Sequence, residues 1–560
     1  MPNTWDHEYD LIVVGAGAAG MASALTASTE GLEVLVVEKT DRYGGTTALS
    51  GGVLWIPGNS LMTQAGLADS AEQALTYLQH NIGNRVGEAK LAAFVDQAPR
   101  MLDYLCEHGY LEVELFEGFP DYRPETPGGV DGGRSVEPKV FPGRKLGEVL
   151  AELRAPRAIA PGGIVGTMTE LRRLAAIRTD PLGLLKAWRV FPRSLWNRVG
   201  NASYLANGGG LIAWLRHGLD KQGVPLWLDT PLVELITQDG SLIGIRVEKA
   251  SVAKRLRARK GVVITAGGFE HNLQMRERFS GAEATADYTS GAPGNTGDGI
   301  QAGLRAGAAV DLMDDAWWAP TFMPPGEGPQ IVIFERAKPG NIIVNAAGQR
   351  FANEAEPYNE LVKHMQEADR SGSRAIPAHL VFDATYRSNY PLGGMLPGIT
   401  PQRYLDNGFV VRADTLEALA AEIGVDPVGL AATVERFNRM ARDGVDEDFH
   451  RGESAFDRFS GDPAVGPNSC LAPLDRPPFY AMKLYPGDLG TKGGLLTNEY
   501  AQVVRDDGTI VSGLYAAGNS SASVMGNFYP GAGGTIGPAM TFGYIAAMHA
   551  AGRLPAASRG

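Results

Sequence analysis

A chain of 560 residues exceeds what one simple core accommodates, so two or more structural domains are expected. Its 44% hydrophobic and 20% charged residues are those of a soluble globular protein, and a net charge of −12 argues against nucleic acid as a partner. Cys106 and Cys470 lie outside any C-x-x-C and read as free thiols in a reducing compartment, the nine histidines show no metal-ligand spacing, and no apolar run is long enough to span a membrane.

The polar stretch Met1–Tyr9 leads straight into a strand and does not read as a signal peptide. From Tyr9 to Glu38 the chain reads Y-D-L-I-V-V-G-A-G-A-A-G, then an alanine-rich helix, then L-E-V-L-V-V-E. Strand, glycine turn, helix, strand and acid follow one another in the register of a dinucleotide-binding fingerprint. Gly15 permits the tight turn, Gly17 lets the backbone approach a pyrophosphate, and Gly20 lets helix and strand pack closely. The helix start, with Ala18 and Ala19, offers free N–H groups and the positive dipole end to phosphate. Glu38 stands where a carboxylate accepts hydrogen bonds from ribose hydroxyls.

Lys39 opens a loop in which Gly44, Gly45, Gly51 and Gly52 surround Thr46 and Ser50, exposing N–H and hydroxyl donors. Residues 71–109 read as helices, with Leu75, Tyr77, Leu78, Leu91, Phe94, Leu102 and Leu105 facing inward. Residues 116–129 form a loop rich in aromatic residues and proline. Residues 156–200 carry Arg157, Arg172, Arg173, Arg178, Lys186, Arg189, Arg193 and Arg198 against Glu170 and Asp180, a local charge of +6. Leucines, isoleucines, Trp188, Phe191 and Trp196 are interleaved with them. Cationic, Trp-bearing helices broken by Pro181 and Pro192 are the pattern of an interfacial membrane anchor; a packed amphipathic pair or a subunit interface is the other reading.

From residue 201 the α/β pattern resumes: Gly208–Gly210 lead into an amphipathic helix over 211–222, strands follow over 224–236 and 241–248, and a strand over 261–270 ends in the glycine pair Gly267–Gly268 after Ala266. The turn N-T-G-D-G, with Asp298, introduces another helix. The mixed, aromatic- and proline-rich region from about 315 to 485 reads as an inserted substrate domain. A strand over 513–517 then delivers Gly518 and Asn519, and the loop through Gly534, Thr535 and Ile536 opens a long helix from about Gly537. The expected fold is α/β: a discontinuous Rossmann-like nucleotide-binding domain (1–315 and 488–560, carrying the 156–200 insertion) with an inserted α+β substrate domain (316–487).

Taken together, F-P-D-Y (119–122), R-F-A-N-E-A-E-P-Y (350–358), P-G-D-L-G-T-K-G-G (486–494) and Y-P-G-A-G-G-T-I-G-P-A-M-T-F-G (529–543) resemble the fumarate-reductase-like FAD flavoproteins. Within them they resemble the 3-ketosteroid Δ1-dehydrogenases, over nearly the whole chain. The basic 156–200 segment is longer than compact members carry and looks like the extra segment of membrane-associated ones. The resemblance implies FAD, held by the residues named above, with the main chain near Val233 at the adenine and Ala266–Gly268 closing over the nucleotide. It places the catalytic group on Tyr122, Tyr358, Tyr529 and Gly533, and steroid contacts on Phe119, Phe334 and Pro530.

In that reading the Tyr529 hydroxyl and the Gly533 N–H polarise the C3 carbonyl, Tyr358 takes the C2 proton as a phenolate with help from Tyr122, and the flavin accepts the C1 hydride. The implied partners are a 3-ketosteroid of the 4-androstene-3,17-dione type and an electron acceptor such as a membrane quinone; the implied location is cytoplasmic, peripheral on the inner membrane. A 5α-3-ketosteroid 4-dehydrogenase, a fumarate-reductase-like enzyme on another enone or enoate, and a non-catalytic flavin electron carrier are the alternatives. Succinate dehydrogenases and fumarate reductases use an arginine shortly after a similar R-F-x-N-E, where this chain reads A-E-P-Y-N-E with Tyr358 and no arginine; the 45–52 loop lacks the histidine of covalent-flavin members, so FAD is expected to be bound non-covalently.

Overall fold

The computed structural model describes residues 5–156, 163–175, 185, 188–200, 203–281 and 285–554. An eight-stranded sheet forms its base, in the order Gln502–Val504, Ile510–Ala516, Val252–Ile264, His7–Val14, Val34–Val37 and Leu226–Trp227. The hairpin Leu232–Gln238 and Ser241–Lys249 extends the antiparallel half of Val252–Ile264. The central pairings are parallel and in step: Val14 lies opposite both Val37 and Ile264, and Ile264 lies opposite Ala516. The carboxyl ends of four strands therefore finish on one line, which is where open α/β sheets bind their ligands. Buried Val, Ile and Leu fill the strands because helices cover the sheet.

The helix Ala18–Thr29 packs between Asn207–Gln222 and the C-terminal Ile536–Ala550. Its contacts are close enough to need glycine: a Cβ on Gly20 would sit 2.0 Å from the Gly15 carbonyl oxygen, and one on Gly543 would sit 2.4 Å from that of Ala19. Several expected boundaries shift. The helix expected over 211–222 begins at Asn207, so Gly208–Gly210 form its first turn, with Gly208 pressed on the backbone of Thr47 and Ser50, Gly209 on Pro156 and Gly210 on the Leu205 carbonyl, and most of it is buried rather than amphipathic. The strand expected over 224–236 is split into Leu226–Trp227 and Leu232–Gln238 around Asp229, whose φ is 48°. The strand expected over 261–270 starts already at Val252 and ends at Ile264.

A second, antiparallel sheet of six strands has the order Gln330–Ile331, Ala316–Phe322, Phe479–Thr491, Ala378–Phe382 and Asn341–Val344, with Val411–Ala413 also on Phe479–Thr491. The thirteen-residue strand Phe479–Thr491 runs from this sheet to the loops at the first sheet's edge, where Asp488 accepts from Arg276 Nη1 and Thr289 Oγ1. A small sheet of Leu54–Trp55, Ser135–Pro138 and Val113–Leu115 closes the third side.

In the basic segment, helices Met168–Ala175 and Val190–Arg198 are described. Arg157, Ile177, Arg178, Asp180, Pro181, Leu182, Leu184 and Lys186 lie outside the described residues. Pro192, expected to break a helix, sits instead in the first turn of Val190–Arg198, where its missing N–H costs nothing. No helix among the described residues is long and apolar enough to cross a membrane.

Candidate active site

A cavity of about 870 Å³ starts at the carboxyl ends of the parallel strands and runs to an aromatic cluster between the sheets. Its first part is built from backbone. Gly15 has φ 109°, and a Cβ there would lie 2.4 Å from the Thr265 carbonyl oxygen, so only glycine turns the chain this tightly. Gly17 has nothing within 4 Å of its would-be Cβ and leaves the start of helix Ala18–Thr29 open to the cavity. Glu38 Oε2 accepts from Ala16 N at 3.0 Å and Oε1 from Thr40 N, which fixes the carboxylate at the strand end. Lys39 Nζ reaches Thr296 Oγ1 and Asp298 Oδ2 at 2.6 and 2.5 Å, tying the two loops at this end.

Thr46 Oγ1 accepts from Ala292 N and Asn295 Nδ2. Ser50 Oγ takes Gly52 N at 3.0 Å, and Asn519 Oδ1 takes the Trp317 indole at 3.1 Å. With Ala18, Ala19, Gly45, Gly51, Ala266, Gly267, Gly518, Thr535 and Ile536, these residues line one continuous wall. An elongated cavity with an open helix terminus, a strand-end carboxylate and glycines where no Cβ fits suits a dinucleotide.

Six residues expected at the site lie behind that wall. Gly20 and Gly44 are packing positions: Gly44 N donates to Ala16 O, and a Cβ on it would strike Ala48. Gly268 is pressed on Thr491 and Gly534 on Pro530. Thr230 and Leu232 reach the cavity where Val233 was expected. Pro530 gives its carbonyl to Tyr122 N and to Tyr77 Oη, at 3.0 and 2.8 Å, and so holds the neighbouring Tyr529 in place.

The far part of the cavity is made of side chains. Tyr122, Tyr358 and Tyr529 are buried with ring centroids 5.1–5.5 Å apart, and the Tyr358 hydroxyl interacts with those of both others. Tyr529 Oη also faces Thr535 Oγ1 at 3.1 Å. Gly533 (φ 90°) gives its carbonyl to Trp55 N and Gly537 N, and its own N–H has no acceptor among the described residues. Burial pushes all three phenols above their ordinary range, Tyr358 and Tyr122 most strongly, so the cluster as it stands holds its protons.

Phe119 and Phe334 line the cavity as expected, joined by Phe116, Met168 and Ile331. Phe119 stacks on Phe116 at 4.6 Å and meets Phe459 at 4.8 Å; Phe456 meets Tyr122 at 4.9 Å, and Trp317 meets Tyr529 at 4.9 Å. Phe456, Phe459 and Trp317 escape sequence reasoning because each sits in an ordinary apolar pattern far from the motifs. R-F-A-N-E does have a visible purpose. Arg350 grips Glu354 and Asp446, and Arg451 Nη1 joins Glu354 at 3.0 Å, a buried network that sets the turn ahead of Tyr358.

The family described as FAD binding domain matches residues 10–536. A 3-oxosteroid 1-dehydrogenase from Mycobacterium tuberculosis is 47% identical over 554 residues, 97% of this chain and 98% of that one. One from Mycolicibacterium smegmatis is 46% identical, over 99% of each. The crystal structure of the 3-ketosteroid Δ1-dehydrogenase from Sterolibacterium denitrificans, in complex with 1,4-androstadiene-3,17-dione, superposes with a TM-score of 0.93 at 44% identity, covering 98% of this chain and all of that one.

Proposed function

The chain belongs to the FAD-binding flavoprotein family of the 3-oxosteroid 1-dehydrogenases, and from that premise we propose that it desaturates the C1–C2 bond in the A ring of 3-ketosteroids. FAD is its cofactor, and supplies the acceptor for the hydride that leaves C1. The observation that carries the reading is the meeting of three buried tyrosines and the unpartnered Gly533 N–H in the same cavity as the dinucleotide cradle.

Tyr529 Oη and Gly533 N–H are two donors for a C3 carbonyl oxygen, and they stabilise the negative charge that grows there as C2 loses its proton. Tyr358 takes that proton and Tyr122 bonds its hydroxyl. Phe116, Phe119, Phe334 and Ile331 give the fused rings an apolar, water-poor bed and hold C2 against the base. The 45–52 loop offers no histidine, so the flavin is expected to be released intact by acid or heat. Anaerobic mixing of holoenzyme with 4-androstene-3,17-dione tests the reading: the flavin should bleach and the product should be the 1,4-diene-3-one. A 4-ene formed from a 5α-3-ketosteroid, with no 1,2-desaturation, would overturn it.

The same reading puts the protein on a lipid surface, from which it takes poorly soluble steroid and to whose quinone it can pass electrons. Trp188, Phe191, Leu195, Trp196 and Val199 are each 55–59% exposed; Phe191, Leu195 and Trp196 lie on the outer side of helix Val190–Arg198, and Trp188 and Val199 flank its two ends. Val190 and Ser194 face the protein. Such a helix is amphipathic the wrong way round for water and the right way for a bilayer interface. The charge contributes less than the composition implies. Arg193 is bidentate on Glu170, Arg173 pairs with Glu117, and Arg172 bonds the Glu117 carbonyl over the Phe459 ring. Met168, on the first helix of the segment, lines the cavity, so the patch adjoins the steroid side of the site.

A further inference from the structure

Buried arginines in this protein are matched with acceptors. Arg134 meets Asp69 and Asp121, Arg276 meets Asp488, and Arg350 and Arg451 share Glu354. Arg387, without a carboxylate, gives its guanidinium to Thr400 Oγ1 and to the Leu396 and Ile399 carbonyls. Arg336 is different. It is 1% exposed and forms no ion pair among the described residues; Nη1 donates to the Glu354 carbonyl, and Nε, like those of Arg276 and Arg451, has no acceptor. An ionised group buried this deeply is costly unless a partner offsets it.

The surroundings point to the partner. Arg336 follows the cavity-lining Phe334 and Glu335 in one short turn, Glu335–Ala337, which packs against helix Ala455–Ser460. On that helix Phe456 packs on the Tyr122 ring, and the carboxylate of the next residue, Asp457, favours the charged form of Arg336. The charged and titratable groups facing Arg336 are Glu356, Asp457, Tyr122 and Glu335. The three carboxylates are engaged elsewhere: Glu356 with His364 Nδ1, Asp457 with Asn353 Nδ2 and Gly452 N, and Glu335 with Ile333 N. Tyr122 in turn faces Tyr358, Tyr529 and Arg336, and Arg336 is the one positive charge among them.

We propose that Arg336 is a positioning residue for the base: its buried charge, which no carboxylate takes up in an ion pair, stabilises the tyrosinate shared by Tyr358 and Tyr122, the state in which the C2 proton is taken. Burial otherwise drives these phenols away from ionisation, and burial of Arg336 itself brings it only to about 10, so it remains a cation at neutral pH. The proton that Tyr358 accepts in each turnover is later released; Arg336 neither gains nor loses one.

This inference rests on Tyr358 being the base, and the test separates the two. In flavin-loaded enzyme, kcat/KM for 4-androstene-3,17-dione is followed against pH for wild type, Tyr358→Phe, Arg336→Met, Arg336→Lys and Glu356→Gln. Arg336→Met should move the rising limb up by about one unit, lowering the neutral-pH rate roughly tenfold and recovering it at high pH, with KM little changed. Arg336→Lys should restore most of the limb. Glu356→Gln, which removes an opposing negative charge, should move the limb down, and it serves if Arg336→Met does not fold. A limb unmoved in the folded variants, with rates lowered equally at every pH, would make Arg336 merely structural and end the inference. An active Tyr358→Phe would end the underlying assignment instead.

Discussion

The two parts of the cavity are made in opposite ways. The dinucleotide part is backbone: Gly15 and Gly52 leave no room for a Cβ, Gly17 leaves the helix start open, and the donors are main-chain N–H groups there. The steroid part is side chain: three tyrosines and Phe116, Phe119 and Phe334 line it, backed by Phe456, Phe459 and Trp317, so that it is delivered by segments as distant as 116–122, 317, 334, 358, 456–459 and 529. Backbone geometry is dictated within a few residues, so it tolerates almost no substitution and is visible in a short motif. An aromatic bed is dictated by tertiary packing, so it tolerates exchange except at the hydroxyls that do chemistry.

Breaking the backbone part should therefore have the largest effect. Gly15→Ala puts a methyl group 2.4 Å from the Thr265 carbonyl oxygen at a φ of 109°, a conformation L-residues rarely adopt. The purified variant should carry no flavin and show no turnover, read from flavin absorbance per chain. Retention of stoichiometric flavin would mean the turn is less constrained than its geometry shows.

Breaking the side-chain part at its reactive hydroxyls should cost rate and spare the cofactor. Tyr358→Phe removes the proposed base and should lower kcat roughly a thousandfold, within the range of general base catalysis. Tyr529→Phe removes one of the two proposed donors to the carbonyl oxygen and should cost about a hundredfold. Both variants should keep full flavin content, because the Tyr358 and Tyr529 rings stay packed against Tyr122 and Trp317. If either lost its flavin, the two parts of the cavity would not be separable as described.

The same contrast explains what was legible in the sequence. The strand–Gly–helix–strand–acid run reads correctly because each residue acts on its neighbours: Gly20 touches Gly15, and Glu38 bonds Ala16. Tyr122, Tyr358 and Tyr529 were placed through family resemblance, and the structure brings them within one cluster. Phe456, Phe459, Trp317 and Arg336 carry no local signature; their roles arise from a helix and a turn that meet only in three dimensions. The helix start is displaced at Gly208–Gly210, which belong to the helix rather than lead into it because close packing on Thr47 and Ser50, Pro156 and Leu205 excludes larger residues.

The 156–200 segment sharpens the comparison from outside the cavity, and its effect on catalysis should be the smallest. Its composition promised a strongly cationic surface, yet Arg172, Arg173 and Arg193 are spent on Glu117, Glu170 and the Phe459 ring. What helix Val190–Arg198 presents outward is apolar surface, so binding to lipid should depend on Trp188, Phe191, Leu195 and Trp196 more than on charge. Replacing those four by serine removes exposed apolar area without touching the inward residues Val190 and Ser194, so folding should be preserved. The variant should keep its flavin, turn over detergent-solubilised steroid within about twofold of wild type, and lose co-sedimentation with anionic liposomes. Raising the salt should weaken wild-type co-sedimentation only modestly, because insertion of apolar side chains is not screened as charge attraction is. If the serine variant sediments with liposomes as wild type does, the patch is not a lipid contact. If binding instead vanishes with moderate salt, the arginines carry it despite their partners, and the helix face covers something other than a bilayer.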